Sequence, residues 1–412
     1  MHTMTSSLRE RTLEDTYALA RTIATDRGVT RVTDTTWLDD IGIPVYASIR
    51  PNAHWRSLCV HNGKGSRPME AKVGALMEAI EFSFAESGRN HHTSDVMTVK
   101  EFLAQDGLRF GWLDLCPLFH AETAKLEDQI PVVTSQRLSD RATIQMPAEL
   151  VFHPLSADDH GKRFFGTSTN GLASGNTVDE ATLHGLLEVV ERDIRSYNFI
   201  ENSSVPVLFD ESAPEPVRSM IEKIERAGYE LRVRYTPNRF GLPFFDAYLL
   251  EPNPESPIAV AVGTGIHLDA SIAAVRAISE AAQSRLTHIH GGRDDLVKIH
   301  EHFTDVGPGE KRHEISALRS QVRDEEAPIP FSELTTLAPL ETSIPEALEA
   351  LLARLGAAGF PEVYRTVLTT PDDPISVVRV IVPGMEFYKP DFKRVGQGLM
   401  NAITKATQES TK

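Results

Sequence analysis

Three segments of the chain share one pattern of apolar and acidic positions. In the first segment the apolar residues recur at i, i+3, i+4 and i+7, a spacing that places their side chains on one face of a helix. These residues are Val73, Leu76, Met77 and Ile80. A neighbouring stripe of the same helix carries Gly74, Glu78 and Glu81. The pattern therefore predicts an amphipathic helix with two carboxylates along the edge of its buried face.

The pattern returns at a constant offset of 110 residues, which takes Glu78 to Glu188 and Glu81 to Glu191. A degenerate third copy has Glu280, followed by a glutamine where the other two copies have a second glutamate. In a single helix, glutamates at i and i+3 are ordinary solvated surface. Three copies that place these residues at matching positions of the helix instead favour a common function for the side chains.

Two carboxylate pairs that are brought together repel each other, and they are costly to desolvate unless cations lie between them. Mg²⁺ suits this role, because it takes one or two carboxylates and completes its coordination with water and substrate phosphates. We therefore expect the four glutamates of the first two copies to converge on one metal site, with carboxylates within about 10 Å of one another.

Predicted strands alternate with predicted helices around these segments, which indicates a mixed α/β (α+β) fold. An amphipathic helix is predicted over Leu8–Asp26, before Gly28. The charged, proline-containing interval 305–335 is predicted to be a linker or flexible loop. We expect three regions: an N-terminal helix with strands over 1–60, a core domain over 61–390 and a polar tail over 391–412.

Composition narrows the class of protein. The 412-residue chain is 41% hydrophobic and 24% charged, as in ordinary soluble globular proteins. Its net charge of −16 argues against non-specific binding of nucleic acid or anionic membrane. Two cysteines are too few for a disulfide scaffold, and no apolar run approaches the roughly 20 residues of a membrane span. We expect a cytoplasmic protein with no nucleic-acid or membrane partner.

Three familiar motifs are missing: a Gly-x4-Gly-Lys-Ser/Thr run, a Gly-x-Gly-x2-Gly fingerprint after a strand and a Gly-x-Ser-x-Gly elbow. A small-residue segment at 166–177 instead leads into the second repeat helix, where backbone N–H groups could approach an anion. Lys64 and Arg285 could also reach a phosphate. A surface turn for the segment, and a surface cation or helix salt bridge for Arg285, stay open as alternatives.

Together these motifs resemble the YcaO family over residues 8–385. The residues that carry the resemblance are Asn62-Gly63-Lys64-Gly65 before Glu78-x2-Glu81, the run 170–177 with Glu180 before Glu188-x2-Glu191-Arg192, and Glu280-x2-Gln283-x-Arg285. Members of this family bind ATP without a P-loop, through acidic helices that hold Mg²⁺ ions on the triphosphate. The resemblance implies a YcaO fold, with repeated strand–acidic-helix units around a central nucleotide site, and ATP and Mg²⁺ as cofactors.

The resemblance also implies roles for individual residues. Those that match the family's metal-binding acids are Glu78, Glu81, Glu188 and Glu191. Those that match positions around the nucleotide are Lys64, Asn176, Glu180, Arg192, Gln283 and Arg285. Arg9 and Thr16 lie where the family has a Lys-x6-Ser nucleotide contact, and Gly74 replaces a family serine four residues before the first metal-binding glutamate.

YcaO proteins use ATP to activate the oxygen of a backbone amide in a ribosomally made peptide or protein. The resemblance implies this activity here, with a peptide or protein as substrate and a homodimer as the expected assembly. Members differ in the group that attacks the activated amide. A neighbouring Cys, Ser or Thr side chain gives an azoline, whereas external sulfide gives a thioamide.

Two features favour the thioamide. Azoline-forming members commonly end in Pro-x-Pro-x-Pro, and residues 401–412 contain no proline. The stretch 30–46, together with Arg293-Asp294-Asp295, resembles members that act beside a TfuA partner. We therefore expect thioamide formation with a TfuA-like partner protein, with an azoline-forming cyclodehydratase as the alternative within the family.

Two other classes of protein stay open. The chain could be a nucleotide-binding regulatory subunit without chemistry of its own, or a metal-dependent amide or phosphate hydrolase that uses the same glutamates. No residue is predicted as a catalytic base.

Overall fold

The structure is a computed structural model of the 412-residue chain. It describes residues 2–3, 6–156, 159–211, 213–256, 258–293, 295–323, 326–334, 342–389 and 392–409. Helices and strands alternate in these ranges, which confirms the predicted mixed α/β class.

The chain divides into two compact units, each made of two segments: a first unit of Met1–Ala79 and Ser203–Thr342, and a second unit of Ile80–Asn202 and Ser343–Lys412. The predicted boundaries after residues 60 and 390 do not coincide with this division and stay a prediction.

The first unit contains a five-stranded sheet, a three-stranded sheet and a two-stranded pair. The larger sheet is antiparallel except for its last pair, and its strands in spatial order are Val260–Ile266, Phe244–Leu250, Glu230–Tyr235, Val205–Leu208 and Ile329–Pro330. The smaller elements are the antiparallel sheet Arg31–Asp34, Val45–Ile49 and Val60–Lys64, and the pair His2–Thr3 and Leu8–Arg9. The α-helices are Leu13–Asp26, Glu215–Arg226, Ala270–His290, Leu296–Val322 and the first part of Pro68–Ala85, and 3₁₀ turns lie at Thr36–Leu38 and Phe331–Glu333.

The second unit is built on a six-stranded antiparallel sheet. Five strands run in the spatial order Asp95–Thr98, Gln129–Arg137, Tyr364–Val367, Ser376–Ile381 and Leu172–Gly175, and the sixth, Thr143–Pro147, also pairs with Gln129–Arg137. A two-stranded pair joins Tyr388–Lys389 and Phe392–Lys393. The helices are the end of Pro68–Ala85, Val99–Leu103, Ala148–Val151, Val178–Asn198, Ile344–Ala357 and Gln397–Glu409, with a 3₁₀ turn at Trp112–Leu115.

Each copy of the repeated pattern is a strand that leads directly into a helix. The three strands are Val60–Lys64, Leu172–Gly175 and Val260–Ile266, and the first, second and third repeat helices are Pro68–Ala85, Val178–Asn198 and Ala270–His290. The division between the two units falls inside the first repeat helix, between Ala79 and Ile80. Glu78 therefore belongs to the first unit and Glu81 to the second.

Glycines let each strand approach the helix that follows it. A Cβ added to Gly63 would lie 2.1 Å from the carbonyl oxygen of Ala71 and 2.1 Å from the amide nitrogen of Ala75. A Cβ on Gly265 would lie 2.1 Å from the oxygen of Ala273, also a backbone atom of the following helix. The first and third copies thus pack strand on helix in the same register, with no room for a side chain.

The third repeat helix packs on the five-stranded sheet through a face of small residues. Ala273, Ala277 and Ala281 follow one another at i, i+4 and i+8 and are almost completely buried. Glu215–Arg226 adds a stripe of larger apolar residues to the same core, with Val217, Met220 and Ile224 buried. Alternating small and large contact faces allow close packing of helix against sheet and helix against helix.

The prediction for the N-terminus is wrong in one respect. The helix begins at Leu13 rather than Leu8, and Leu8–Arg9 forms a short strand with His2–Thr3. Thr12 is the reason for the later start, because its side chain accepts a hydrogen bond from the Asp15 amide at 3.1 Å and so caps the helix. Arg9 and Thr16 therefore lie on different elements.

The predicted linker over 305–335 is also wrong for most of its length. A helix spans Leu296–Val322, and the strand Ile329–Pro330 and a 3₁₀ turn follow. Near the end of this helix Arg319 is buried and donates to the carbonyl oxygens of Glu251 at 2.9 Å and Ala259 at 3.1 Å. Such tertiary contacts stabilise a helix whose composition is unfavourable.

The polar C-terminal tail contains the helix Gln397–Glu409. Its beginning is fixed by the buried carboxylate of Glu386, which accepts from the amides of Gly396 at 2.6 Å and Leu399 at 2.9 Å. No helix among the described residues is long and apolar enough to cross a membrane.

Two histidines of the first unit are expected to make folding sensitive to acid. Burial lowers the pKa of His61 and of His267 to about 3, and the nearby charges of Arg50 and Arg276, respectively, act in the same direction. Below a pH of about 6.5 each of the two imidazoles binds a proton in the unfolded chain. In the folded chain each stays neutral until the pH approaches 3. The unfolding free energy is therefore expected to fall as the pH drops from about 6.5 towards 3, by about 1.4 kcal/mol per pH unit for each histidine.

Urea titrations at pH 7, 6 and 5 check this expectation with the variant His267→Gln. As the pH is lowered, the unfolding free energy of this variant should fall less steeply than that of the wild type. The slopes should differ by about 1.4 kcal/mol per pH unit, the contribution of one histidine. The exposed His120 provides the matched control, because His120→Gln should leave the slope unchanged. A wild-type slope in His267→Gln would mean that the buried imidazole is charged in the folded chain.

Candidate functional site

The first glutamates of copies one and three are held by the same backbone contact. In copy one the Asn62 amide donates to the Glu78 carboxylate at 2.9 Å. In copy three the Thr264 amide donates to the Glu280 carboxylate at 3.3 Å, and the Thr264 hydroxyl adds a bond of 3.2 Å. Each donor lies on the strand that precedes its helix. The shared contact is structural support for the repeat that the sequence predicted.

Two cations of the first unit lie beside these carboxylates. Lys64 forms an ion pair with Glu280. Burial raises the pKa of the Glu78 carboxyl above its usual range, and the charges of Arg293 and Lys64 oppose this rise. Burial also opposes the charge on Arg293, but its hydrogen bonds to Asp295 and the nearby glutamates leave the Arg293 pKa raised. The positive charges of Lys64 and Arg293 thus offset the negative charges of the nearby glutamates.

In the second unit, Glu81 is fixed by the strand of copy two. The Ser174 amide donates to its carboxylate at 2.8 Å and the Ser174 hydroxyl at 2.6 Å. Ser174 lies on Leu172–Gly175, the strand that leads into the second repeat helix. Two hydrogen bonds from one residue fix the orientation of this carboxylate.

The other two predicted metal-binding acids lie on the second repeat helix with Arg192. An Arg192 nitrogen lies 3.1 Å from Glu191 and another lies 3.9 Å from Glu188. Glu191 is buried, whereas Glu188 keeps about a fifth of its side chain exposed. The positive charge of Arg192 therefore offsets the negative charges of both carboxylates within one helix.

The start of the same helix joins two of the predicted nucleotide residues. The Asn176 side-chain amide donates to both carboxylate oxygens of Glu180, at 3.2 and 3.1 Å, and both residues are buried. Thr177 caps the helix by accepting from the Glu180 amide at 3.2 Å. This network fixes the end of the small-residue segment at the helix N-terminus.

Sequence reasoning missed Arg379, which is completely buried on the strand Ser376–Ile381. It donates to the carbonyl oxygens of Val151 at 2.9 Å and Asn170 at 2.8 Å. Burial lowers the pKa of Arg379 to about 10, against the opposing charges of Glu188 and Glu81. A basic residue on an apolar strand is the only feature of the sequence that could have drawn attention to it.

The structure places the remaining predicted site residues in different settings. Thr16 is buried on the N-terminal helix. Gln283 is half-buried on the third repeat helix, and Arg9 is half-buried on the strand Leu8–Arg9. Arg285 is engaged elsewhere in the first unit, by an ion pair of 2.8 Å with Glu251. Arg285 is buried, and Glu251 follows the strand Phe244–Leu250 and does not lie on the same helix, so this ion pair is neither of the two alternatives, and the role of Arg285 at the nucleotide stays a prediction.

The part of the chain that the structure describes contains no group of three or more His, Cys, Asp or Glu side chains arranged to hold a metal ion. Strand N–H groups hold Glu78 and Glu81, and Arg192 pairs with both Glu188 and Glu191. Carboxylate oxygen is nevertheless the ligand that Mg²⁺ prefers, and Glu78, Glu81, Glu188 and Glu191 supply four carboxylates. Their convergence on one site stays a prediction.

Sequence reasoning missed several contacts that follow from the repeat itself. The residue 16 positions before Glu78 is Asn62, and the residue 16 positions before Glu280 is Thr264; each donates its amide to that glutamate. The register of the repeat could have identified these donors. The pairing of Lys64 with Glu280 could not, because it joins residues 216 positions apart.

Comparison with known proteins now identifies the family. A family model described as YcaO cyclodehydratase, binding ATP and Mg²⁺, matches residues 62–386. An uncharacterized protein of Methanothermobacter thermautotrophicus is 33% identical over 381 residues, which cover 91% of this chain and 94% of that protein. A protein of Rhizobium leguminosarum bv. trifolii, described as lying in the tfuA 3′ region, is 32% identical over 405 residues, covering 94% and 91%.

Solved structures show the same fold. YcaO from Methanopyrus kandleri, bound with AMPPCP and Mg²⁺, is similar with a TM-score of 0.72 and 24% identity, and the match covers 95% of this chain and 96% of that one. A heterocyclase in complex with substrate and cofactor is similar with a TM-score of 0.70 and 20% identity, covering 92% of this chain and 53% of that one. The family description names ATP and Mg²⁺, which confirms the cofactors predicted from the sequence. On a match that spans well over half of its length, the chain belongs to the YcaO family.

Proposed function

We propose that the chain uses ATP and Mg²⁺ to activate a backbone amide of a ribosomally made peptide or protein, and that the product is a thioamide formed beside a TfuA-like partner. The observation that carries this proposal is the repeated unit of strand and acidic helix, in which strand amides orient the glutamates. The family description, which names ATP and Mg²⁺, supports the part of the proposal that concerns activation by ATP. A structure of the microcin synthetase complex with its bound pro-peptide has the same fold, with a TM-score of 0.58.

In this proposal four glutamates hold Mg²⁺: Glu78, Glu81, Glu188 and Glu191. Arg192 and Lys64 contact the nucleotide as cations, and the Asn176–Glu180 pair lies beside it. Arg9, Thr16, Gln283 and Arg285 complete the proposed nucleotide contacts. For Arg285 this contact requires an exchange of partners, since it is paired with Glu251.

The chemistry follows from the nature of an amide. Resonance holds the C–N bond and makes the carbonyl carbon a poor electrophile. Transfer of the terminal phosphoryl group of ATP to the amide oxygen releases ADP. Sulfide then forms a bond to the carbon, and the C–O bond breaks as inorganic phosphate leaves. Mg²⁺ bound to the triphosphate neutralises charge that develops during this transfer. The chain's own residues orient the carboxylates, through the Asn62 amide for Glu78 and through Ser174 for Glu81.

The TfuA-linked subtype rests on two observations. One relative with 32% identity is described by its position beside tfuA. Arg293 and Asp295, which carry part of the resemblance to TfuA-associated members, form a bidentate ion pair with bonds of 3.0 and 2.7 Å. Asp294, the third residue of that motif, lies outside the described residues.

An azoline-forming cyclodehydratase is the second candidate, and the family description favours it by name. Both candidates share the activation of the amide by ATP. They differ only in the attacking group, which is a side chain of the substrate in one case and external sulfide in the other. The two products are therefore distinguished by mass.

Intact-mass spectrometry tests the proposed product. The chain is incubated with ATP, Mg²⁺, sodium sulfide, a TfuA-like protein and a candidate substrate encoded beside its gene. A thioamide should add about 16 Da, because sulfur replaces oxygen, and this gain should require sulfide. Loss of about 18 Da without any need for sulfide would contradict the thioamide and establish the azoline. No change of mass, alongside tight binding of ATP, would favour the regulatory-subunit alternative.

A further inference from the structure

The connection between the first two strands of the three-stranded sheet presents two large apolar side chains to solvent. It runs over 35–44 and contains the 3₁₀ turn Thr36–Leu38. Trp37 keeps 75% of its surface exposed, and Leu38 keeps 44%. Single exposed apolar residues are common on proteins, but tryptophan is enriched among the residues that anchor protein interfaces. A tryptophan beside a second large apolar residue therefore marks a candidate contact surface of the first unit.

Hydrogen bonds and buried side chains hold this connection in one conformation. The Asp34 carboxylate accepts from the Thr36 amide at 2.9 Å, and the Asp39 carboxylate accepts from the Ile41 amide at 3.0 Å. Ile41 and Ile43 are buried in the core of the first unit. The connection is thus fixed on both sides of the exposed pair. A partner that binds a surface of this kind has little conformational entropy to remove from it.

Gly42 supports the indole ring of Trp37. The φ angle of Gly42 is +73°, and a Cβ added to this residue would lie 3.0 Å from Cη2 and 3.1 Å from Cζ3 of Trp37. The six-membered ring therefore lies against the Gly42 backbone, and the Lys223 ammonium donates to the Gly42 carbonyl oxygen at 3.1 Å. One side of the indole is supported in this way while most of its surface stays exposed. A rigid aromatic side chain that is presented like this is suited to enter a pocket of another protein.

A second exposed tryptophan lies at the opposite end of the same sheet and has different surroundings. Trp55 is 85% exposed on the loop 50–59. His54 stacks on its ring with the centroids 5.8 Å apart, and the Arg56 guanidinium lies 5.6 Å from the ring centroid. Polar side chains thus contact Trp55, whereas the neighbour of Trp37 along the chain is an exposed leucine. The apolar pair, and not exposure alone, distinguishes the two tryptophans.

Position and charge indicate which partner the surface around Trp37 fits. The connection lies inside the stretch 30–46, which carries part of the resemblance to TfuA-associated members. One relative is described as lying in the tfuA 3′ region. Asp34 and Asp40, three residues before and after Trp37, are both exposed and make the edge of the surface acidic. A complementary partner has an apolar pocket with basic residues around it.

We propose that Trp37 and Leu38 form the docking site for a TfuA-like partner protein, with Trp37 as the anchor that enters an apolar pocket of the partner. Asp34 and Asp40 then face basic residues at the edge of that pocket. This inference rests on the partner named in the proposed function and adds the surface that binds it. A second copy of this chain and the substrate peptide are the other occupants that the experiments distinguish.

Affinity measurements with a TfuA-like protein encoded beside the gene for this chain test the anchor. Trp37→Ala should raise the Kd about thirtyfold or more, as expected for the loss of a central tryptophan. Trp55→Ala is the matched control, because it removes a more exposed tryptophan from the other end of the same sheet. It should bind the partner like the wild type. Wild-type affinity in Trp37→Ala, or an equal loss in Trp55→Ala, would overturn the assignment.

Folding of the variants is checked by circular dichroism and by their affinity for MgATP, which should match the wild type. If Trp37→Ala does not fold, Trp37→Gln is measured by the same criteria. The substituted side chain is largely exposed, so we expect both variants to fold.

The acidic edge of the surface has a separate test. Asp40→Asn should slow association with the partner about threefold at low salt, and the difference should shrink as salt is added, because exposed charges are screened. Asp26→Asn is the matched control, since Asp26 is exposed at the end of the N-terminal helix. It should associate at the wild-type rate. An unchanged rate in Asp40→Asn, or a change that salt does not reduce, would refute the basic edge proposed for the partner.

The other occupants give different results. A change in the sedimentation of the chain alone on Trp37→Ala would assign the surface to a second copy of the chain. Weaker binding of the substrate peptide to the chain alone would assign it to the peptide. Either result overturns the docking site proposed for the partner.

The two levels of the proposal also fail in different ways. A wild-type chain that does not bind the TfuA-like protein refutes the partner in the proposed function, and this inference with it. A wild type that binds this protein, alongside a Trp37→Ala variant that binds it equally well, refutes only the docking site.

Discussion

Glu188→Gln is expected to lower the rate of ATP hydrolysis by about a hundredfold or more, a loss of roughly 3 kcal/mol of transition-state stabilisation. Glutamine has nearly the volume of glutamate but carries no charge, so the packing of the second repeat helix should survive while a proposed Mg²⁺ ligand is lost. Glu188 lies at the edge of that helix with part of its side chain exposed and Arg192 nearby. Removing its charge should therefore change the unfolding free energy little.

The control for this experiment is the same substitution at Glu349, an exposed residue of the helix Ile344–Ala357. Glu349→Gln should hydrolyse ATP like the wild type. Calorimetric titration of Mg²⁺ and ATP into both variants separates loss of ligand binding from loss of turnover. Normal hydrolysis by Glu188→Gln, with an unchanged requirement for Mg²⁺, would show that this glutamate is ordinary helix surface.

Gly265→Ala is expected to lower the unfolding free energy by roughly 3 kcal/mol or more, as in other cases of severe overpacking. The added Cβ would meet the Ala273 oxygen at 2.1 Å and the Ala277 nitrogen at 2.5 Å. Both are backbone atoms of the third repeat helix, so no side chain can move aside. Strand and helix would have to separate, and the core of the first unit would lose close packing.

Gly63→Ala should have a comparable effect, because its Cβ would meet the equivalent atoms of the first repeat helix. Gly356 provides the opposite control. It lies exposed near the end of the helix Ile344–Ala357, and a Cβ there would have no heavy atom within 4 Å. Gly356→Ala should therefore be neutral or stabilise the chain by up to about 1 kcal/mol. Urea unfolding midpoints measure all three; a wild-type midpoint for Gly265→Ala would refute the proposed close contact.

A short window of sequence is enough to predict an element when the residues of that window themselves determine its conformation. The third repeat helix begins directly after Asp269, because Asp269 caps it by accepting from the Ile272 amide at 3.0 Å. The helix Pro68–Ala85 contains the whole predicted apolar stripe of the first copy, from Val73 to Ile80. Local pattern failed over 305–322, where Gly307, Pro308 and Gly309 argue against a helix. Contacts made by Arg319 with a distant loop stabilise that helix, and no short window of sequence contains them.

The sequence by itself determined the repeat, its phase along three helices and, through the motifs, the family. These features depend on spacing within a helix, which one window of the chain records. Only the tertiary structure decided which groups from distant strands meet the glutamates: Ser174 for Glu81 and Lys64 for Glu280. These partners lie 93 and 216 positions away in the chain. Charge balance in a folded protein is set by distance in space, and a helical period carries no information about which strand will lie beside it.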